Sequence, residues 1–554
     1  MKYTALTLGP IGKTLQKARS TKGIWAASYL FSYLMREIIK KAEITNEEVI
    51  LPYYEKKDLT ENFEVGLFPD KLIIKGEWQS LNYCIDSVVE ELAIKVSKDT
   101  GREEKDVILF FKEYLSIHVL SVELSENENV IIKINSLLDT AELKQRALKG
   151  ADNDFLQQFF EETYYNFFVR EEFDRYEINK DNKRFPSTIE IANSALKDVD
   201  EKQFRYYVNT LVNDNKKPDE ADSQQVFIDK IKSDPEFKLT YRNYQKYIAV
   251  VQADGDNTGE FIKQLYTEPE KEKLIERFSK HLLQFGKKSV AKIKEYRGTP
   301  IYAGGDDLLF FCPLAHSSLS DKEVNLSKTI FTLIDEIDEV FNSLFTDDEV
   351  FKEIIKKVEK KPAISYGISV SYYKFPLNEA LGEAIKQLFY TAKKTDKKNA
   401  VSFAVLKHSG QFFGTTFHKN AASYKEYTKL LREHLPNEEL IRGVAHKLEP
   451  QKALLCSIGK EDVVEKRNII FDNFFLNNFD ESVHRKKQHK EELIPFLENL
   501  KHFVKDVYSE NQVKKCLFED DNDEKENDQN KYNLGKIYAA LRFIEFLNNK
   551  EDRL

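Results

Sequence analysis

The sequence predicts an α+β protein in which two similar units of alternating strands and helices accompany an intervening and a C-terminal helical segment. Apolar runs typical of buried strands alternate with longer stretches of helical spacing in residues 1–125. The same alternation returns in residues 244–418, after a segment in which helical spacing dominates. The length of 554 residues agrees with several domains, since a domain ordinarily spans roughly 100–200 residues.

Composition limits the class of protein. Hydrophobic residues make up 41% of the chain, enough for several cores, and the net charge of -9 provides no bulk attraction to nucleic acid. The cysteines Cys84, Cys312, Cys456 and Cys516 are far apart, which argues against a disulfide framework or a zinc knuckle and favours a reducing compartment. The apolar stretch at residues 23–35 is shorter than the about 20 residues that span a bilayer. We therefore expect a cytoplasmic protein with no membrane partner.

The first unit, residues 1–125, has the pattern of one sheet with two helices. Helical spacing covers residues 24–41, where Ser20 or Thr21 can cap the start, and residues 81–96. Strand-like runs are "YTALTLG", "EVILPYY", "KLIIKG" and "LSIHVLSVEL". The order β-α-β-β-α-β predicts a ferredoxin-like sheet of the palm type, with helices on one face.

Residues 126–243 and 419–554 are expected to form helical domains. The aromatic run "DFLQQFFEETYYNFF" has helical spacing, which a packed core face explains. The charged run "EDDNDEKENDQNK" is typical of a solvated loop. The basic run "HRKKQHK" at residues 484–490 either contacts RNA phosphate or an acidic partner, or is a solvated helix face, which is the commoner case.

The second unit, residues 244–418, repeats the first pattern. A strand "YIAVVQ" precedes a helix at about 270–297, and a hairpin with the arms "TPIYA" and "LLFFC" follows. A helix at about 326–345, the strand "AISYGISVSYY", the helix "LNEALGEAIKQLFYTAKK" and the strand "AVSFAVL" complete the unit. The likeness of the two units is one of pattern rather than of residue identity.

Carboxylates mark the expected active end of the second unit. Asp306 and Asp307 follow the permissive glycines of the turn "GGDD", whereas Asp254 and Asp256 end the strand "YIAVVQADGD". In a palm-type sheet that strand end lies beside the hairpin turn, so these side chains are expected to converge. A GGDD turn by itself is often only a surface turn. The second acidic segment, D-G-D, makes a functional role the better explanation.

Clustered carboxylates imply a cation, because like charges a few ångströms apart repel one another. Oxygen ligands favour Mg²⁺ or Mn²⁺ over zinc. Such a site suits nucleotidyl transfer, in which one ion activates an attacking hydroxyl and another stabilises the leaving pyrophosphate. Lys393 and Lys398, in "LFYTAKKTDKKN", lie where they can reach a triphosphate, although such lysines are individually more often part of a solvated face.

These segments resemble the large polymerase-cyclase subunit of type III CRISPR effector complexes, the Cas-ten family, which is related to GGDEF-type nucleotide cyclases. The resemblance is carried by "VVQADGDNTG", "YAGGDDLLFF" and "ISYGISVSYY…ALGEAIKQLFYTAKKTDKKNAVSF". The N-terminal "LGPIGKTLQKARSTKGIWAASYLFSYL" is similar to the opening of the III-B (Cmr) branch. The helical middle and the C-terminus match only in their order.

The resemblance implies roles for individual residues. Asp254, Asp306 and Asp307 would hold the metal ions, with Asp256 beside them, and Lys393 and Lys398 would face phosphates. The backbone at Gly304 and Gly305 would approach the nucleotide. Because the family's second substrate lies between the two palms, Lys13 of "GPIGK" and Asp70 of "GLFPDK" are further nucleotide-binding candidates; Asp70 is otherwise an ordinary turn residue.

The resemblance also implies an activity and its partners. We expect an RNA-activated nucleotidyltransferase that uses ATP and works with the other subunits of a III-B effector complex, its guide RNA and its target RNA. The product is either cyclic oligoadenylate or AMP joined to S-adenosylmethionine. No His-Asp dipeptide occurs in the sequence, so an HD-nuclease-less variant is expected, and the cysteine spacing argues against the zinc of many relatives.

Two other functions fit the same residues. One is a stand-alone GGDEF-type cyclase, against which the two palm-like units in one chain argue. The other is a non-catalytic scaffold subunit, against which the intact Asp254, Asp306 and Asp307 argue. GTP consumption without RNA would indicate the cyclase, and an absence of pyrophosphate release under any condition would indicate the scaffold.

Overall fold

The fold is known from a computed structural model and contains a four-stranded, a six-stranded and a two-stranded sheet. It describes residues 1–143, 185–195, 242–432, 444–479, 490–510 and 525–548, apart from short gaps at 46, 61–63, 126–127, 321–322, 396–397, 445–446, 449, 460 and 462. The runs "DFLQQFFEETYYNFF" and "HRKKQHK" lie outside these residues, the latter except for its last lysine, as does most of the expected middle domain.

The first unit has the predicted ferredoxin-like topology. Its strands are β1 (Lys2–Gly9), β2 (Val49–Leu51), β3 (Lys71–Lys75) and β4 (Ser116–Glu123). They lie in the antiparallel order β2-β3-β1-β4. Its helices are α1 (Ile11–Lys17), α2 (Thr21–Lys41), α3 (Leu81–Thr100) and α4 (Glu104–Tyr114), and α5 (Val130–Glu142) follows the last strand.

Local signals explain the first long helix. The hydroxyl of Ser20 accepts a hydrogen bond from the backbone N–H of Gly23, as expected of an N-cap residue. Almost every side chain between Thr21 and Ile39 is buried, because α2 packs on the first sheet with one face and on the second sheet with the other. The amphipathic pattern predicts one buried face, whereas the observed helix is buried on nearly all sides because it lies between two sheets.

The second unit contains the same arrangement inside a larger sheet. Its strands are β5 (Tyr247–Asp256), β6 (Thr299–Gly304), β7 (Asp307–Cys312), β8 (Ala315–Ser320), β9 (Glu323–Thr329), β10 (Ala363–Tyr372), β11 (Ala400–Leu406) and β12 (Phe412–His418). The six-stranded sheet has the order β12-β11-β10-β5-β7-β6, in which β10 pairs with β11 in parallel and all other neighbours are antiparallel. The strands β8 and β9 form a separate hairpin.

Helices cover this sheet and continue the chain. Between residues 185 and 354 they are α6 (Thr188–Ala192), α7 (Thr258–Leu265), α8 (Lys271–Glu295), α9 (Ile330–Thr346) and α10 (Glu349–Ile354). The later helices are α11 (Leu377–Lys386), α12 (Ala422–Arg432), α13 (Lys452–Gly459), α14 (Val464–Asn478), α15 (Lys490–Ser509) and α16 (Lys525–Asn548). None of the described helices combines the length and the apolar character that crossing a bilayer requires.

The two units share one apolar core. Side chains of α2, including Trp25, pack in the same cluster as Val250 and Ile301 of the second sheet. The segment that leads into β3 also reaches the second sheet, where the backbone N–H of Ala303 donates to the carbonyl of Gly66 at 2.9 Å. The two units are also joined by ion pairs, such as that between Nζ of Lys75 in β3 and Oε2 of Glu272 in α8 at 2.7 Å. The cleft between the units is therefore built on a continuous core.

Some predicted elements differ from those observed. The helix expected from about residue 326 begins at Ile330, because the polar, alternating residues before it form β9. The expected helix after β10 ends at Lys386 and continues as a π-helical turn, Gln387–Thr391, and a 3₁₀ turn, Ala392–Lys394. The charged run from residue 519 enters α16 at residue 525 instead of remaining a loop throughout. The domain boundaries at 125, 243 and 418 stay predictions.

Candidate active site

The expected carboxylates come together where β5 ends beside the β6–β7 turn. The antiparallel register pairs Ala253 with Leu308, so Asp254 and Asp307 come next along neighbouring strands. Asp306 occupies the turn itself and lies against the backbone of Gly255. Three carboxylates from two segments distant in sequence thus share one end of the sheet.

Glycines make this approach possible, each in a different way. Gly305 has φ of +67°, a left-handed conformation that the tight turn requires. A Cβ at Gly255 would overlap the carboxylate of Asp306, and a Cβ at Gly304 would overlap the phenol oxygen of Tyr302. The space beside Gly304 is therefore filled by the chain's own tyrosine.

Lys393 supplies the positive charge at the cluster. Its Nζ lies 2.6 Å from Oδ1 of Asp254 and 3.8 Å from Oδ1 of Asp256. It also donates to the carbonyl of Gly255 at 2.9 Å. The lysine follows the π-helical turn, which carries its side chain back over the end of β5. Irregular helical turns of this kind occur frequently at functional sites.

Burial and mutual repulsion disfavour ionisation of these carboxyl groups. Burial raises the pKa of Asp254 above its ordinary value; Lys393 opposes this rise, and the charge of Asp306 adds to it. Burial, followed by the charges of Asp254 and Asp306, raises the pKa of Asp307 well above its ordinary value. One lysine does not balance this cluster, so a further cation would favour the ionised forms.

Asp256 has a different environment from the other three. It is fully buried, and its Oδ2 accepts hydrogen bonds from the hydroxyl of Ser365 and from the backbone N–H of Asn399, the latter at 2.9 Å. Its Oδ1 has no hydrogen-bond partner within the described part of the chain. The side chain therefore connects β5 to β10 and to the residue before β11 by hydrogen bonds. Its Oδ1 atom lies on the side of Lys393.

A cavity of about 400 Å³ opens beside the carboxylates, between the two units. The turn contributes Gly304, Gly305, Asp306 and Asp307 to its wall, and Tyr302 lies next to them. The opposite wall comes from the first unit and from helices α5, α7 and α8. This volume lies within the range of small-molecule sites, about 300–1,000 Å³.

Of the remaining predicted site residues, one lines this cavity and two lie outside it. Asp70 lines it, and burial raises the pKa of its carboxyl against the opposing effect of Lys71. Lys13 is exposed on α1, and Lys398 lies in the loop before β11 with φ of 49°; neither lines the cavity. The nucleotide-binding role of each stays a prediction.

Several cavity residues were not predicted from the sequence. Tyr302 contributes a phenol whose pKa is raised, chiefly by burial and next by the charge of Asp70. Thr258 and Asn135 add polar groups from α7 and α5. Gly255 does not line the cavity but contacts Asp306, and it did have a sequence signal, because a glycine inside a strand often marks a close approach of another segment.

The donor chemistry suits a hard divalent cation, although the ligands are not arranged around one point. No group of three or more His, Cys, Asp or Glu residues among those described is positioned to hold a metal ion. The oxygen atoms of Asp254, Asp306 and Asp307 are nevertheless the ligand type that Mg²⁺ and Mn²⁺ prefer. A cation held there would share the carboxylate of Asp254 with Lys393, whose Nζ lies 2.6 Å from Oδ1.

Comparison with known proteins gives matches at both palm-like units. The family model "CRISPR-associated protein Cmr2, N-terminal" matches residues 3–101, and "Cas10/Cmr2, second palm domain" matches residues 247–402. The second match includes all three carboxylates and Lys393. No curated protein sequence matches the chain.

Solved structures agree in fold. The apo state of the type III-B Cmr-beta complex has a chain with a TM-score of 0.51 and 12% identity, which covers 86% of this chain and 77% of its own length. The type III-B Cmr-beta complex bound to cognate target RNA gives a TM-score of 0.51 and 12% identity, with coverage of 86% and 78%. At this identity the likeness concerns the fold alone. Both matches are to Cas10/Cmr2 models, and the second includes the carboxylate turn, so the two palm-like units belong to the Cas10/Cmr2 family.

Proposed function

We propose that this chain is the RNA-activated nucleotidyltransferase of a type III-B CRISPR effector complex. In this proposal it uses ATP to make an adenylate second messenger and releases pyrophosphate. The observation that carries the proposal is the convergence of Asp254, Asp306 and Asp307 at one end of a cavity that both palm-like units enclose. Membership of both palm-like units in the Cas10/Cmr2 family supports it.

Asp254, Asp306 and Asp307 would hold Mg²⁺ or Mn²⁺, with Asp256 beside them. The raised pKa values of Asp254 and Asp307 agree with a cluster in which one lysine leaves negative charge uncompensated. Bound there, the ions would lower the pKa of an attacking hydroxyl and stabilise the negative charge on the leaving pyrophosphate.

The residues of this chain have separate tasks in the reaction. The cavity holds the acceptor so that its hydroxyl points to the end where Asp306 and Asp307 lie. Lys393, released from Asp254, is close enough to pair with the triphosphate of the donor ATP. Lys398 and Lys13 are further phosphate candidates on the surfaces outside the cavity.

The acceptor decides the product. A second ATP in the cavity leads to oligoadenylate that closes into a ring, whereas S-adenosylmethionine in the cavity leads to an AMP conjugate. Asp70 is the acidic residue in the cavity on the side of the first unit, and it is suited to an ammonium group when ionised. Both products require the same carboxylate cluster, so the proposal covers both.

The partners in this proposal are the other subunits of the effector complex, the guide RNA and the target RNA. A structural neighbour of the same fold was solved in a type III-B complex bound to cognate target RNA. The acidic net charge of -9 is consistent with RNA being held mainly by other subunits.

Mass spectrometry of reaction products tests the proposal. The purified effector complex is incubated with ATP and Mg²⁺, with and without target RNA and with and without S-adenosylmethionine. We expect pyrophosphate and an adenylate product only when target RNA is present. Consumption of GTP without RNA would instead indicate a stand-alone cyclase, and no pyrophosphate under any condition would indicate a scaffold subunit.

A further inference from the structure

The cavity beside the carboxylates has an apolar part and a polar end. Its apolar lining comes from both units: Leu51, Pro52, Leu67, Phe68, Ile73, Ile131, Ile262, Phe278, Leu282 and Leu283. The polar end consists of the Gly304–Asp307 turn with Tyr302 and Asp70, and further polar residues of the lining are Tyr53, Lys71, Thr258 and Ser279. A ligand that fits both parts has a flat or apolar group joined to a polar group that reaches the carboxylates.

A single amide side chain belongs to the lining of this cavity. Asn135 lines the cavity from α5, on the same helix face as Ile131 four residues earlier. Its side chain is half-buried and has no hydrogen-bond partner among the residues that the structure describes. An unpaired amide beside apolar side chains is unfavourable unless a ligand or water completes its hydrogen bonds.

The helix that carries Asn135 is held firmly against the first sheet. The Oδ1 atom of Asn129 caps its start by accepting from the N–H of Ile132 at 3.1 Å. One helical turn beyond Asn135, Asp139 accepts from Lys71 at 2.6 Å, and Glu142 accepts from the hydroxyl of Thr7 at 2.6 Å. These contacts fix the helix at both ends, so the amide is presented to the cavity at a defined position.

We propose that Asn135 recognises the base of the acceptor nucleotide. This inference rests on the proposed function, in which an adenine-containing acceptor fills the cavity. The base would lie in the apolar part, with its sugar towards the carboxylate end. An amide offers one acceptor and two donors, so it pairs with the amino group and an adjacent ring nitrogen of adenine.

The assignment is independent of the residues that match the family models. Asn135 lies outside residues 3–101 and 247–402, on a helix that follows the first sheet. The chain therefore uses a segment outside both matched palms to complete the acceptor site. The carboxylate cluster determines the reaction, and α5 determines which acceptor is accepted.

Two substitutions with a matched control test the inference. Asn135→Ala removes both hydrogen-bonding groups, and Asn135→Asp keeps the shape but leaves only acceptors. Ser136→Ala changes the neighbouring exposed side chain on the same helix. Isothermal titration calorimetry of the effector complex with adenosine, guanosine and inosine measures base recognition without requiring turnover, and thermal unfolding midpoints check that each variant folds.

We expect adenosine to bind about 10- to 100-fold more weakly to both Asn135 variants than to the wild type, and equally to Ser136→Ala and the wild type. Asn135→Asp should also gain relative affinity for guanosine, whose base edge offers two donors. Unchanged adenosine affinity in folded Asn135 variants, an equal loss in Ser136→Ala, or no adenosine binding by the wild type would each overturn the inference.

The same titration separates this inference from the proposed function. Adenosine binding that depends on Asn135 in a complex that releases no pyrophosphate would support the base site and contradict the nucleotidyltransferase. Normal pyrophosphate release with adenosine affinity unaffected by Asn135→Ala would support the nucleotidyltransferase and contradict the base site.

Discussion

The carboxylate of Asp306 lies directly over the backbone of Gly255, where the end of β5 passes beside the β6–β7 turn. The contact joins the two acidic segments of the sequence, "ADGD" and "GGDD", in one place. Only a residue without a Cβ leaves room for the carboxylate. The glycine between Asp254 and Asp256 is therefore part of the site, although it carries no functional group.

Replacing Gly255 tests this relationship. Gly255→Ala should displace the Asp306 carboxylate and lower product formation by about 100-fold, because small displacements of reacting groups have large effects on rate. The overlap includes the Cβ of Asp306 at 2.8 Å as well as its carboxylate, so the whole side chain must move, and the free energy of unfolding should fall by about 1–3 kcal/mol. Product yield and the thermal unfolding midpoint measure the two effects.

The control for this variant is Gly259→Ala, since a Cβ at Gly259 would meet nothing within 4 Å. Gly259→Ala should retain wild-type activity. Full activity of Gly255→Ala would show that the position of Asp306 over Gly255 does not matter for the reaction.

Removal of the turn carboxylates is the direct test of the cluster. Asp306→Ala combined with Asp307→Ala should lower product formation by about 10³-fold or more, because the carboxylates that would hold the divalent cations are lost. Complex assembly and RNA binding should be intact, since the pair lies on the cavity wall rather than in the core. Mass spectrometry of products and electrophoretic RNA-binding assays measure these outcomes.

A matched control for the double variant is Asp347→Ala. Asp347 is exposed and directly follows the last residue of α9. This variant should behave as the wild type. A double variant that fails to assemble would mean that Asp306 and Asp307 serve packing instead of catalysis.

Lys393 should stabilise the cluster in the absence of divalent ions. Lys393→Gln removes the ammonium that contacts Asp254 at 2.6 Å, so the carboxylates lose their nearest positive charge. We expect the metal-free variant to be less stable by about 1–3 kcal/mol, the usual effect of leaving a buried charged group without its partner. Thermal unfolding with EDTA and then with Mg²⁺ measures this, and Mg²⁺ should raise the midpoint more in the variant than in the wild type.

The neighbouring Lys394 is exposed and provides the control. Lys394→Gln should leave the unfolding midpoint and its response to Mg²⁺ unchanged. An identical Mg²⁺ response in wild type and Lys393→Gln would contradict the view that the lysine and the cation compete for the same carboxylates.

Asp70 should give the stability of the protein a particular pH dependence. Burial raises its pKa above the ordinary 3.8, so the folded state binds the proton more tightly than the unfolded chain does. Its contribution to stability is present below pH 3.8 and is lost as the pH rises through the raised folded pKa. Asp70→Asn should remove this loss of stability. The thermal unfolding midpoint of the variant, relative to that of the wild type, should therefore increase as the pH is raised from 4 to 8. Parallel curves would contradict this expectation.

The same substitution tests the role of Asp70 in substrate binding. Asp70→Asn should raise KM for the acceptor more than KM for the donor ATP, because Asp70 lines the acceptor cavity. Steady-state kinetics with each substrate varied separately measures the two constants. Unchanged values for both substrates would remove Asp70 from the site.

The sequence alone predicted most strands and the long helices of both palm-like units, but not the shorter helices α1, α4, α7 and α10 or the strand β12. Alternating and helical spacing identified β1, β3, β4, β5, β10 and β11, because these segments bury one or both faces and their periodicity records it. It also predicted that Asp254, Asp306 and Asp307 converge, because a palm-type sheet places the end of the strand with Asp254 beside the hairpin turn with Asp306 and Asp307. The hairpin β8–β9 was missed, since its strands are mostly polar and the apolar alternation in β9 is limited to Val324 and Leu326.

Tertiary structure alone decided which polar groups face the same space. Tyr302 and Asn135 belong to segments more than 160 residues apart, yet both line one cavity, because α2 and the β3 segment bring the two units onto a common core. Nothing in the local sequence of either residue specifies that encounter. Local patterns record how a segment is buried, whereas the meeting of distant side chains depends on how whole elements pack.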